Sequence, residues 1–313
     1  MGKEKIAIVL TRTLGDVLLV HNLIDGIYKK YEEPEVDVYV DEAYKDIVFG
    51  NPRVSKIYTS PNWLKNWEAI LTMVVDKQGL WNYDDVLIPQ QITQEDTIWH
   101  QLDHLRHQHL VDYYLDRCRL PAREEGEKVQ LFLSEHDYAA VDRVLDINKQ
   151  NKYVVVHTTS GVPTKDWDKF EELTHRLLDM GLSVFQVGAT TDRPANGTVD
   201  KEDVKFFDVR EKLTLSQVGA LCKKALCFVG LDSGLSFVAA SSGTPTIVLQ
   251  GSTIPETSGP WGENVINVLS ETLPQCEEIR CHTNCRFPKE VNGKCINKTK
   301  ASAILDVIKG LSE

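Results

Sequence analysis

The chain has 313 residues, of which 42% are hydrophobic, and this size is typical of two domains that each bury a core. Its formal net charge of −11 disfavours a nucleic-acid partner, because large nucleic-acid binders are usually basic, and it disfavours tight electrostatic docking on an anionic membrane. We expect a soluble, cytoplasmic protein with at most peripheral membrane contact, because no apolar run approaches the roughly 18 residues that span a bilayer and the first run is too short for a signal peptide.

In the first half of the chain, short apolar runs alternate with stretches of helical periodicity. The runs predict strands at 5–11, 36–40, 54–58, 85–88 and 129–133. The periodic stretches predict helices at 16–30, 44–49, about 99–117 and about 134–146. Continuous apolar strands that are separated by helices favour a parallel sheet covered on both faces.

The second half repeats this alternation from residue 153 onward. Strands are predicted at 153–157, 183–187, 204–209, 226–229 and 246–249, and helices at about 167–180, 216–224, from 233, and about 299–311. Two such series predict two doubly wound α/β domains, residues 1–150 and 151–313. Neither half contains a Gly-x-Gly-x-x-Gly fingerprint or a Walker A loop, which disfavours a dinucleotide oxidoreductase and a P-loop kinase.

Ligands of open α/β sheets bind beyond the carboxyl ends of the strands, and the first such loop here is residues 11–16. Asp16 stands at the start of the next predicted helix. It is interpreted either as a helix N-cap, a position that favours Asp, or as a carboxylate that serves as a general base.

The second loop, residues 157–167, is rich in hydroxyl groups and small residues and contains Lys165. An ammonium group about 4 Å from a diphosphate charge contributes on the order of 4 kcal/mol at an effective dielectric constant of about 20. The alternative is a surface loop with a solvated Lys165 and a packed Trp167.

The third loop, Asp232-Ser233-Gly234-Leu235, opens a helix of small residues. The first turn of a helix offers unpaired N–H groups and a partial positive charge, which suit a diphosphate. Gly234 allows the backbone to approach a ligand closely. The alternative is an N-cap and a tight turn without a ligand.

Further motifs accompany these loops in a fixed order along the chain. They are Arg12, Gly15-Asp16, Asn51-Pro52, Lys165-Asp166-Trp167, Gly188, and the runs 213–217, 230–234, 242–245 and 251–253. Together they resemble the ADP-heptose:lipopolysaccharide heptosyltransferases of glycosyltransferase family 9, over nearly the whole chain. The resemblance implies a GT-B fold, in which two Rossmann-like domains face each other across a cleft. It also implies transfer of a sugar with inversion, and no cofactor or metal for catalysis.

The resemblance assigns the acceptor mainly to the N-terminal domain and the nucleotide sugar, ADP-heptose or a related donor, mainly to the C-terminal domain. Asp16 corresponds to the proposed catalytic base and Lys165 to the lysine of a Lys-x-Trp motif. The acceptor side is expected to include Arg12, Thr13 and Gly15. The donor side is expected to include Thr158, Thr159, Ser160, Lys165, Gly188, Asp232, Ser233, Gly234 and Leu235.

The sequence departs from the family pattern at three points. Phe237 stands where many members have His after the Asp-Ser-Gly motif, and His21 and Asn22 stand where the helix after Gly-Asp often carries Pro. The net charge of −11 suits a phosphorylated glycolipid acceptor poorly. A protein, peptide or neutral glycan acceptor therefore stays open beside lipopolysaccharide.

Four of the seven cysteines, Cys276, Cys281, Cys285 and Cys295, cluster in the loop 276–295. Four sulfur ligands suit a structural Zn²⁺ or iron site. The alternative is a set of reduced thiols partly packed in the core. Cys118, Cys222 and Cys227 lie in apolar patterns and are expected in the core.

Two other functions stay open. A nucleotide-sugar epimerase or hydrolase on the same fold would need further acid–base groups, such as His157 or Asp192. A catalytically silent nucleotide-sugar binding module is suggested by Phe237.

Overall fold

The computed structural model describes residues 3–10, 13–60, 83–89, 108–148, 152–197, 205–271 and 295–311. The chain divides into two compact units, residues 1–132 and 133–313. The helix Glu135–Asn148 is grouped with the second unit, where Asp142 forms an ion pair with Lys224. Within the described residues, no helix is long and apolar enough to cross a membrane.

The described part of the first unit is a parallel sheet flanked by helices. Its strands are β1 (Lys5–Leu10), β2 (Glu35–Asp41), β3 (Val54–Ser60) and β4 (Asp85–Leu87), and its helices are α1 (Leu14–Leu18), α2 (Val20–Lys30), α3 (Lys45–Phe49) and α4 (Leu110–Arg117). The strand order is β3-β2-β1-β4, with every described pair parallel. The chain therefore reverses its winding direction beside β1, which places the loop after β1 at a topological switch point.

His21 and Asn51 form a buried polar link in this unit. The His21 ring is fully buried and lies with Nε2 3.1 Å from the Ile47 carbonyl and Nδ1 2.9 Å from the Asn51 amide nitrogen. Burial lowers the pKa of His21 to about 4, so the ring is neutral and both ring nitrogens are used. His21 therefore joins α2 to the turn after α3, and its role is in packing.

The second unit contains a six-stranded parallel sheet in the order β10-β9-β8-β5-β6-β7. The strands are β5 (Tyr153–Val156), β6 (Ser183–Gln186), β7 (Phe206–Asp208), β8 (Cys227–Leu231), β9 (Thr246–Gln250) and β10 (Val265–Leu269). The described helices are α5 (Glu135–Asn148), α6 (Phe170–Asp179), α7 (Leu215–Lys224), α8 (Gly234–Ser241), α9 (Pro255–Ser258) and α10 (Ala301–Gly310). The winding reverses between β5 and β8, which are neighbours in the sheet.

The predicted parallel α/β architecture is confirmed, and three predicted elements need correction. Residues 129–133 form no strand, and β10 is an additional strand that the sequence pattern did not predict. The predicted helix 16–30 is two helices separated at Leu19. The predicted helix at 167–180 begins at Phe170, because Trp167 is fully buried in the preceding loop, where its Nε1–H donates to the Thr299 carbonyl at 3.0 Å.

Candidate functional site

The switch point of the second sheet brings two of the predicted loops together. β5 and β8 pair in parallel, with Val156 opposite Val229, so the chain leaves both strands at the same edge. His157 follows β5, and Asp232 and Ser233 follow β8. This edge is where a doubly wound sheet binds its ligand.

Lys165 and Asp232 form an ion pair at this edge. Lys165 Nζ lies 2.7 Å from Asp232 Oδ2 and 3.5 Å from the Asp232 carbonyl oxygen, and the two side chains are only 12% and 6% exposed. The Thr253 hydroxyl lies 2.6 Å from the same carboxylate oxygen. The alternative of a solvated Lys165 is therefore wrong, because the ammonium is bound to Asp232 in the loop that follows β8.

Ser233, His157 and Asp192 form a chain of three side chains beside this ion pair. Ser233 Oγ lies 3.1 Å from His157 Nδ1, and His157 Nε2 lies 3.3 Å from Asp192 Oδ2. Gly188 has a φ of +125°, and a Cβ there would stand 2.1 Å from Asp192 Oδ2. Glycine is therefore required at this position so that the Asp192 carboxylate can reach the histidine.

The hydroxyl groups of residues 158–160 shape the loop itself. Thr158 Oγ1 donates to the Arg193 carbonyl at 2.5 Å, and Thr159 Oγ1 accepts the Arg193 N–H at 3.0 Å. The Ser160 N–H and hydroxyl both bond Asp166 Oδ1 at 2.9 Å. These side chains join the loop after β5 to the loop after β6. The groups of this loop that are available to a ligand are therefore chiefly backbone groups.

Helix α8 starts directly at the ion pair. Ser233 is its N-cap residue, but its side chain makes no capping hydrogen bond. Close packing of the helix on β8 depends on Gly230, where a Cβ would lie 2.5 Å from the Phe228 ring and 3.2 Å from Ser236 Oγ. Gly234 opens the helix, whereas the side chains of Leu235 and Phe237 are buried. Leu235 is therefore suited to bind a ligand through its backbone and not through its side chain, and Phe237 is a core residue.

In the first unit, Asp16 stands at the switch point beside β1. It is the third residue of α1 and closes a capping box with Thr13, whose N–H and hydroxyl lie 3.2 and 2.7 Å from Asp16 Oδ2. The other carboxylate oxygen accepts the Tyr114 hydroxyl at 2.9 Å. The N-cap is thus Thr13 rather than Asp16. Gly15 lies within α1, and Arg12 lies outside the described residues.

The sequence did not single out Tyr114 as a partner of Asp16, because 98 residues separate the two. No local pattern marks such a pair. Gln250, whose Oε1 accepts the Thr253 hydroxyl at 3.0 Å, was also not singled out.

Of the clustered cysteines, only Cys295 lies within the described residues, and Cys276, Cys281 and Cys285 lie outside them. Cys295 is a partly exposed free thiol that begins a 3₁₀ turn, Cys295–Lys298. Among the residues that the structure describes, no three His, Cys, Asp or Glu side chains converge as a metal site would require. Cys118, Cys222 and Cys227 are buried, as predicted, and burial raises the pKa of Cys227 to about 12.

The sequence profile of glycosyltransferase family 9 (heptosyltransferase) matches residues 98–287, which is more than half of the chain. Lipopolysaccharide heptosyltransferase 3 of Escherichia coli K12 is 24% identical, over 80% of this chain and 84% of that protein. Lipopolysaccharide heptosyltransferase 1 of Pseudomonas aeruginosa is 23% identical, over 85% of this chain and 84% of that protein.

Solved structures agree with the fold. A family 9 glycosyltransferase from Veillonella parvula superposes with a TM-score of 0.79 at 16% identity, over 99% of this chain and 98% of that one. E. coli ADP-heptose lipopolysaccharide heptosyltransferase II gives 0.73 at 15% identity, over 98% of both chains. The iron-containing dodecameric glycosyltransferase TibC of enterotoxigenic E. coli gives 0.68 at 17% identity, over 99% of this chain and 76% of that one. The predicted GT-B fold is confirmed.

Proposed function

The chain belongs to glycosyltransferase family 9, the heptosyltransferase family, and on that premise we propose that it transfers a heptose with inversion from a nucleotide-diphosphate donor. As a member of this family it is a glycosyltransferase. The observation that carries the proposal is the buried Lys165–Asp232 ion pair at the β5–β8 switch point, directly before α8.

Departure of the sugar leaves negative charge on the nucleotide diphosphate. A preorganised ammonium and the backbone N–H groups at the start of α8 stabilise that charge where it develops. We assign the phosphates to Lys165, Ser233, Gly234 and the Leu235 N–H. Asp232 carries the same sign of charge as a phosphate, so its part is to hold Lys165 in place. Residues 158–160 and Gly188 shape the loops around this position.

ADP-heptose is the donor that we propose. E. coli ADP-heptose lipopolysaccharide heptosyltransferase II carries this donor in its name, and a second E. coli heptosyltransferase was solved with an ADP-heptose analogue. Because this chain belongs to the same family, we assign it the same donor.

In the first unit, we assign general base catalysis to Asp16 and acceptor contacts to Arg12, Thr13 and Gly15. The acceptor hydroxyl must lose its proton as it attacks the anomeric carbon, and a carboxylate within hydrogen-bond reach can accept that proton. The Thr13 and Tyr114 hydroxyls donate to the two carboxylate oxygens and orient the carboxylate. A single direct displacement of this kind inverts the anomeric centre.

We propose a glycan, lipopolysaccharide or protein as the acceptor, and the relatives are named as lipopolysaccharide heptosyltransferases. The chain carries 46 acidic against 35 basic side chains, which suits a phosphorylated glycolipid less well than a protein or neutral glycan. We place the reaction in the cytoplasm, with at most peripheral contact with a membrane.

We also propose that the cysteine cluster holds a structural Zn²⁺ or iron ion, because thiolates are soft ligands that suit both metals. The residues after Cys295 brace the Lys165 loop: Asn297 Oδ1 accepts the Asp168 N–H at 3.1 Å, and the Thr299 carbonyl accepts from Trp167. A metal bound through Cys295 would therefore stabilise the loop that carries Lys165. Metal analysis of protein purified without chelators tests this.

A thermal-shift comparison of ADP-heptose with GDP-, UDP- and CDP-sugars tests the donor. A ligand at about 100 times its dissociation constant adds roughly 2.7 kcal/mol of stability. Mass spectrometry then follows heptose onto a lipopolysaccharide core precursor or a protein, and NMR of the product reads the anomeric configuration. Nucleotide release without a glycosylated product would favour the hydrolase, and failure of every nucleotide sugar to bind would overturn the proposal.

A further inference from the structure

The side chains of Ser233, His157 and Asp192 are linked in a row. The number of hydrogens on the imidazole sets the direction of the hydrogen bonds along this row. The imidazole has a hydroxyl at Nδ1, 3.1 Å away, and a carboxylate at Nε2, 3.3 Å away. The carboxylate is itself fixed, because Asp192 Oδ2 accepts the Ala189 N–H at 2.9 Å. The order of donors along this chain therefore decides what Ser233 can offer to a ligand.

Ser233 is freed for this role by a departure from ordinary capping. An N-cap serine normally accepts a hydrogen bond from an N–H in the first turn of its helix. Here Ser233 has extended backbone angles, φ −152° and ψ 167°, and makes no such bond. Its hydroxyl is directed instead to His157, in the loop after β5.

A neutral His157 sets this hydroxyl the wrong way for an anion. With its proton on Nε2, the ring donates to Asp192, and Nδ1 must then accept the single hydrogen of Ser233. Ser233 then presents only lone pairs to a ligand. The other neutral tautomer would place the Nε2 lone pair against the Asp192 carboxylate.

A protonated His157 resolves this conflict. Nε2–H donates to Asp192, Nδ1–H donates to Ser233 Oγ, and the Ser233 hydrogen is released to donate to a phosphate oxygen. The bonds from Nδ1 to Ser233 and from Ser233 to the phosphate then both donate toward the anion, while Nε2–H holds the ring on Asp192, and the imidazolium adds a positive charge beside the phosphate.

The charged groups around the ring agree with this order. On the β6 side, Asp192 faces Nε2, and Arg210 bonds the Asp192 carbonyl while its guanidinium pairs with Asp208. On the β8 side, the charge of Asp232 is paired with Lys165. Asp192 is therefore the carboxylate that contacts the ring, whereas the carboxylate of Asp232 is held by Lys165.

We propose that His157 is a positioning residue that takes up a proton when the donor diphosphate binds, so that Ser233 donates a hydrogen bond to a phosphate oxygen. The inference rests on the proposed donor site and adds a proton to its binding equilibrium. Affinity for the donor then falls as pH rises, by up to about tenfold per pH unit.

Isothermal titration calorimetry of the full-length protein with ADP-heptose, without acceptor, tests the proposal. A sugar-linked diphosphate has no phosphate group that titrates near neutral pH, whereas free ADP does. The titration is run near pH 8 in buffers of different ionisation enthalpy. The observed binding enthalpy of the wild type is expected to vary with the buffer, with a slope approaching one proton taken up.

Two variants separate positioning from packing. His157→Gln keeps an amide donor but cannot titrate, and it should bind ADP-heptose with a buffer-independent enthalpy and a flat pH dependence. Ser233→Ala should weaken binding about tenfold at pH 6.5 and lose the same slope, while Ser233→Thr retains it.

Each outcome is decisive. A buffer-independent enthalpy in the wild type with binding intact overturns this inference and leaves the proposed function standing. A slope that survives in His157→Gln assigns the proton elsewhere and also overturns it. No binding of any nucleotide sugar to the wild type removes both.

Discussion

The Lys165–Asp232 ion pair makes a quantitative prediction about stability. Removing one partner of a buried ion pair leaves the other charge uncompensated, at a cost of about 3–5 kcal/mol. Asp232→Asn keeps the shape of the side chain and an acceptor for Thr253, so we expect the lower end, about 3 kcal/mol. For a unit the size of residues 133–313 this corresponds to a fall in Tm of roughly 6–12 °C.

Removing both charges should cost less than the two single changes together. The double variant Lys165→Met/Asp232→Asn buries no charge, and its coupling energy with the single variants should be about 2–3 kcal/mol. Scanning calorimetry of the four proteins closes this double-mutant cycle.

The ion pair Lys224–Asp142 in the same unit is a matched control. Its side chains are 35% and 51% exposed, against 12% and 6% for Lys165 and Asp232. Exposed pairs couple by at most about 1 kcal/mol. If the Lys165–Asp232 cycle gives no larger coupling than the Lys224→Met/Asp142→Asn cycle, the argument for a desolvated pair is wrong.

Three further predictions concern Gly188, His21 and Asp16. Gly188→Ala should weaken donor binding and lower stability by more than Gly161→Ala. A Cβ at Gly188 would lie 2.1 Å from Asp192 Oδ2, whereas Gly161, at φ +75°, has no heavy atom within 4 Å of its Cβ position. Equal losses of stability in calorimetry would contradict this. The pKa of His21 is about 4 in the folded chain against 6.5 as its ordinary value, so the unfolded chain binds the proton first. The free energy of unfolding is therefore unaffected by His21 above pH 6.5 and decreases as pH falls to about 4, by up to about 3 kcal/mol. His21→Gln should remove this decrease from a series of urea-unfolding measurements at different pH. Asp16→Asn should lower kcat by roughly 10²–10⁴-fold with donor affinity unchanged, whereas Tyr114→Phe should lower it less; normal turnover of Asp16→Asn would remove the proposed base.

The sheets were largely predictable because buried parallel strands are continuous apolar runs. Strands β1, β5, β8 and β9 all read this way, and all are buried along nearly their whole length. The incorrect strand at 129–133 and the missed strand β10 both have physical causes. Residues 129–133 have a strand-like composition, but pairing depends on a neighbour that local sequence does not specify. β10 pairs in spite of the exposed Asn267, because an edge strand packs on one side only.

The site residues were predictable one loop at a time, but their partners were not. The sequence indicates that Lys165 and Asp232 each follow a strand, whereas the ion pair between them spans 67 residues and exists only because β5 and β8 are neighbours. The same holds for Ser233, which the sequence places at the start of a helix. Its contact with His157 spans 76 residues and is not marked by any local pattern.

The pairing of Lys165 with Asp232 does not remove it from a diphosphate. A lysine ammonium has three N–H donors, and the contacts described for Lys165 at this edge direct two of them at Asp232, at 2.7 and 3.5 Å. The third can reach a phosphate oxygen without breaking the ion pair. Asp232 thereby compensates the buried charge of Lys165 before the donor binds and fixes the direction of the ammonium group after it has bound. The ammonium is then ordered before the donor binds, so little side-chain entropy is lost on binding, and that is the condition under which a charge contributes most to a developing anion.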